Sequence, residues 1–83
     1  MQVLKVYAGE ANAGAVMANL KAADLHEEVA RWHRVAAGYF LGHDLRNALR
    51  HAEKAHLRCN HAFDATISAH WVSGEITPVD PEL

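Results

Sequence analysis

Residues 45–72 read LRNALRHAEKAHLRCNHAFDATISAHWV, and the fold turns on how this stretch is taken. Leu45, Leu49, Ala52, His56, Cys59, Phe63, Thr66 and His70 step by alternating fours and threes. Ala48, Ala55, Ala62 and Ile67 fill the same side, while Arg46, Asn47, Arg50, Lys54, Arg58, His61 and Asp64 lie on the other. That alternation is the heptad of a helix with one apolar seam. It passes Asn60 without slipping, which predicts one helix over 45–72, roughly 42 Å long at 1.5 Å per residue. The alternative is a break at Asn60, with that side chain capping a fourth helix.

Upstream, Leu25, Val29, Trp32, Ala36 and Tyr39 form a second stripe, which predicts a helix over 25–41. Asp24 and Glu27 have capping-box spacing, each able to satisfy a free amide at the other's end of the first turn. Val16, Leu20 and Ala23 project opposite to Leu25 and Val29, so a separate Ala-rich helix is expected over 11–23. One helix from Ala11 to Leu41 is the alternative. Residues 1–10 read as an irregular arm. Gly42 stands where a left-handed residue would end the second helix, and Asp44 where a cap would begin the third. Residues 73–83, with Pro78 and Pro81, read as an irregular tail.

The expected fold is a single all-α domain over 1–83: an antiparallel helical hairpin with a short N-terminal helix. A helix of ~25 Å over 25–41 cannot cover a partner of ~42 Å. Phe63, Ile67 and Trp71 are then left as interface candidates, together with Trp32 and Tyr39 as aromatic anchors. Dimerisation into a four-helix-type bundle would bury them, so a homo-oligomer is expected.

Composition narrows the function. The net charge of −2 offers no concentrated basic surface for phosphates, which argues against a nucleic-acid partner. No apolar run approaches a membrane span, and no leader pattern stands at the N-terminus. One cysteine, Cys59, precludes an internal disulfide and suits a reducing, cytoplasmic setting. Sixteen alanines favour helix while adding little core area. Seven histidines are the unusual feature of the composition.

Three local patterns carry chemistry. Trp32, Val35, Ala36, Tyr39, Ala48, Ala52 and Ala55 resemble the signature positions of one tetratricopeptide-type helix pair over about 30 residues. That resemblance implies protein interaction. Arg46-Asn47-Ala48-Leu49-Arg50-His51 resembles the Arg-polar…His motif of HEPN-type ribonucleases. It implies an RNA-cleaving dimer in which His51 moves a proton and Arg46 meets the phosphate; the alternative is a solvated outer helix face. Glu53-x-x-His56 resembles the ligand pair of di-iron carboxylate bundles. It implies a transition metal such as iron or zinc, with Glu27 or Glu28 as a further ligand. The alternative is a buried neutral His56 that fixes helix register, with no cofactor at all.

No Gly-rich phosphate loop, Ser-His-Asp set or Cys-x-x-Cys pair is present. The leading expectation is therefore a small cytoplasmic helical interaction module that docks a helical face on a protein and is not an enzyme. A metal-binding dimer using Glu53 and His56, and a ribonuclease using Arg46 and His51, are the alternatives.

Overall fold

The computed structural model describes residues 2–74, with side chains from residue 12 onward. Two helices, α1 (Gln2–Leu41) and α2 (Leu45–Gly74), pack side by side as an antiparallel hairpin. The molecule measures 61 × 20 × 16 Å. No strand occurs among the described residues.

The line of contact has an unbroken heptad on both helices. On α1 it runs through Ala15, Ala18, Ala22, Leu25, Val29, Trp32, Ala36 and Tyr39, all buried or half-buried. On α2 it runs through Ala48, His51, Ala55, Arg58, Ala62, Ala65, Ala69 and Val72. Ala48, Ala55 and Ala62 are fully buried at 0% exposure. Alanine at these places lets the two backbones approach until main chain and Cβ atoms fill the gap. No larger side chain among the described residues is fully buried.

Three expectations require correction here. The break at Asp24 is absent: 11–23 and 25–41 belong to one 40-residue helix. The stripe of Leu25 and Val29 continues backward through Ala22, Ala18 and Ala15 without a change of phase, while the bulkier Val16 and Leu20 stand outside it. The arm over 1–10 is also helical from Gln2 onward; Met1, and positions 75–83 of the expected tail, lie outside the described residues. Finally, α1 is the longer helix and runs along the whole of α2. Asn19 reaches Ser73 and Gly14 faces Val72, so helix length leaves no part of α2 uncovered.

The expectation for α2 holds in its extent but not in its rotation. The helix is continuous through Asn60. Yet the contact line lies one residue before the predicted stripe, a rotation of about 100°. Leu49 and Phe63, 62% and 60% exposed, face outward while Ala48 and Ala62 are inside. A line of Leu and Phe between the helices would hold the axes apart and forfeit the close alanine contact along 30 residues.

His43, not Gly42, adopts the left-handed conformation at the turn, with φ of 60°. Its amide bonds to the Phe40 carbonyl at 3.0 Å, and the Asp44 amide bonds to the Tyr39 carbonyl at 2.9 Å, the paired bonds of a Schellman ending. Asp44 then caps α2. Its carboxylate accepts from the Asn47 side-chain amide at 2.8 Å and from the Asn47 backbone amide at 3.3 Å. These bonds, the side-chain one first, hold the Asp44 carboxyl below its ordinary value of 3.8. A depressed carboxyl stabilises the fold above that value and loses its contribution as pH falls below it.

Two outcomes follow from this packing. His43→Gly relieves a left-handed side chain and should raise stability by about 0.5–1 kcal/mol, read as a higher melting temperature. Ala55→Leu, at a fully buried seam position, should lower stability by about 1–3 kcal/mol in urea unfolding.

Candidate functional site

His51 sits in the seam near the turn. This corrects its expected place on the outer, polar face: the heptad of Ala48 and Ala55 puts position 51 against α1. Its ring centroid lies 5.6 Å from that of Trp32 and 5.0 Å from that of Tyr39. Its Nδ1–H donates to the Asn47 carbonyl at 2.7 Å, which directs Nε2 the other way. Lys54 Nζ stands 3.9 Å from the Trp32 ring centroid, a cation–π contact. Trp32 Nε1 is buried with no hydrogen-bond partner. Trp32 and Tyr39, expected at an interface, thus contribute to the hairpin's own packing.

Arg46 is exposed and stands five residues from His51, about 140° round the helix. Within one chain the two do not converge on a common point. Glu53 and His56 are both exposed. His56 lies on the outward stripe of α2, a correction to its expected place inside the bundle and a consequence of the same rotation. Glu28, considered as a further ligand, is engaged by Arg58 at 2.9 Å. Among the described residues no three His, Cys, Asp or Glu side chains stand close enough to share a metal ion.

The two sides of the hairpin differ sharply. On one side, His26 Nε2 and Thr66 Oγ1 share a hydrogen bond of 2.6 Å, and one heptad away Asn19 Nδ2 donates to Ser73 Oγ at 3.0 Å. His33 and Cys59, both exposed, hold the equivalent places one heptad further on. Beyond this ladder, at about 100° per residue, α1 turns Val16, Ala23, Ala30 and Ala37 to the same side. From α2 come Leu45, Leu49, His56, Phe63 and His70, all exposed. This two-helix face holds no Lys, Arg, Asp or Glu among the described residues.

The other side carries Lys21, Asp24, Glu28 and Arg31 from α1 and Arg50, Lys54 and Asp64 from α2, while Glu27, Arg34, Arg46 and Glu53 stand with Leu41 and Ile67 on the outer ridges away from the seam. A shallow groove of about 450 Å³ opens there between Lys21, Leu25, His61, Asp64 and Ser68, over Ala18 and Ala65. Trp71, 69% exposed, stands at the outer edge of α2.

The uncharged face was missed as a unit because it belongs to two helices at once. Its signal was present in the positions of the charges, none of which among the described residues falls on this side once both contact lines are known. Replacing His51 by Ala removes the ring from between Trp32 and Tyr39 and should cost about 1–2 kcal/mol in chemical unfolding. An unchanged urea midpoint would contradict the packing role.

Comparison of the chain with protein families, with curated proteins and with solved structures yielded no match.

Proposed function

We propose that this chain is a small, non-enzymatic helical interaction module, a regulator, adaptor or inhibitor that docks one helical face on a protein. One observation carries the reading: a face built from two helices exposes Phe63, Leu45 and Leu49 and has no charged side chain among the described residues. A solvated surface with no partner normally intersperses charges among its apolar groups, and large apolar patches mark interaction sites. The charges here are collected on the opposite side and along the outer ridges, where they keep the free surface soluble.

A homo-oligomer belongs to the same proposal, since a second copy is itself a protein surface of matching character. A cytoplasmic setting is part of it too, supported by the exposed thiol of Cys59. No helix among the described residues is long and apolar enough to cross a membrane.

Photo-crosslinking tests the docking face. A benzoylphenylalanine in place of Phe63 is expected to capture a protein, a second copy included. The same group in place of Arg31, on the charged side, is expected to capture none. Equal capture at both positions, or capture at 31 alone, refutes the assignment of the face.

A further inference from the structure

We infer that the occupant of the uncharged face is a second copy of this chain, with α2 of each copy laid against α1 of the other. This rests on the docking reading above and deepens it by naming the partner and the register.

The area fits. The face extends from Leu45 to Ser73, about 42 Å at 1.5 Å per residue, and the hairpin is 20 Å across. That gives on the order of 800 Å² per copy, the amount a standard stable interface buries on each side.

The charge pattern fits a like surface. A partner presenting Lys, Arg, Asp or Glu to this face would lose their hydration and find no opposite charge. A second copy presents none.

The relief fits one arrangement in particular. The bulky groups on the face belong mainly to α2, where Leu49, His56, Phe63 and His70 recur every seven residues. The small ones belong to α1, where Ala23, Ala30 and Ala37 recur with the same period. Bonds across the hairpin set the heights: His26 is level with Thr66 and Glu28 with Arg58. By the first bond Phe63 is level with Val29 and by the second with Ala23, so it stands within the stretch from Ala23 to Ala30. His56, one heptad earlier, stands within the stretch from Ala30 to Ala37. A half-turn about an axis parallel to the helices leaves every residue at its own height and brings α2 over α1 of the other copy. Phe63 and His56 then meet the alanine stripe of the other copy, and the interface closes as a dimer.

Sedimentation equilibrium at neutral pH decides the matter. The wild-type chain is expected to rise toward twice its 9.1 kDa mass across the micromolar range. Ala30→Glu and Phe63→Lys each place a charge in the interface and should weaken association at least about tenfold. Circular dichroism should show both still helical, because neither position is on the contact line of the hairpin. An equimolar mixture of the two variants should regain the double mass, since the new carboxylate and the new ammonium meet at one of the two junctions. A mixture that stays monomeric overturns the α1-on-α2 arrangement. A wild-type chain that keeps its single mass throughout overturns the second copy as occupant. If the crosslinker at position 63 then still captures another protein, the docking reading stands without it; if it captures nothing, both fall.

Discussion

Contact between alanines holds this molecule together. Ala15, Ala22 and Ala36 on one helix, with Val29 holding the place between the last two, and Ala48, Ala55, Ala62 and Ala69 on the other recur in a seven-residue repeat, and all are buried. Each buries little area, so each contributes little by the hydrophobic effect alone. Their value is geometric: with only a methyl group between them, the helices come close enough for extended van der Waals contact along their shared length. Alanine's helix propensity supports the same outcome before any contact forms. The rest of the structure follows from this choice. Once the seam is given to alanine, every large apolar side chain except Val29, and those half-buried beside it, must go elsewhere.

Most of them go to the surface, and the surface is sorted. Leu45, Leu49 and Phe63 lie with His56 and His70 on a side without formal charge, while lysine, arginine and carboxylates hold the other side and the outer ridges. The internal polar contacts respect the division. The neutral bonds Asn19–Ser73 and His26–Thr66 line one flank of the seam; the Glu28–Arg58 ion pair and the Lys54–Trp32 contact line the other. Each flank thus carries contacts of the same character as the surface beyond it. The hairpin behaves as a scaffold that displays two surfaces of different chemistry, and the docking proposal concerns the uncharged one.

Much of the fold was legible. The heptad through Asn60 identified α2 as one helix. The Leu25–Tyr39 stripe identified the inner face of α1, and the Gly42–Asp44 segment marked the reversal. What failed was the weight given to bulk. Val16 and Leu20 were read as the leading face of a separate helix and Leu49 and Phe63 as a contact line, because large apolar residues are the usual occupants of a packed face. In a hairpin sealed by alanine that rule reverses, and the smallest residues mark the inside. The candidate site suffered from the same rotation: His56 moved outward and His51 inward. The left-handed residue was misplaced by one because glycine is the common choice there, whereas the Schellman bonds put it at His43. The joint face could not be read from either helix alone, since it exists only after the two contact lines are superposed.

A seam repeated every seven residues has a weakness that irregular cores do not share. Sliding one helix by a heptad would lay alanine on alanine again, and the methyl groups would scarcely distinguish the two alignments. Discrimination falls to the few places where the repeat is broken. Val29, the Trp32–His51–Tyr39 stack and the Arg58–Glu28 pair have no equivalents a heptad away, and the three-residue turn permits no slack. All lie toward the turn or near mid-length. Alignment is therefore set at the closed end and carried outward by the rigidity of the helices, while the open end, held by Asn19 and Ser73, inherits it.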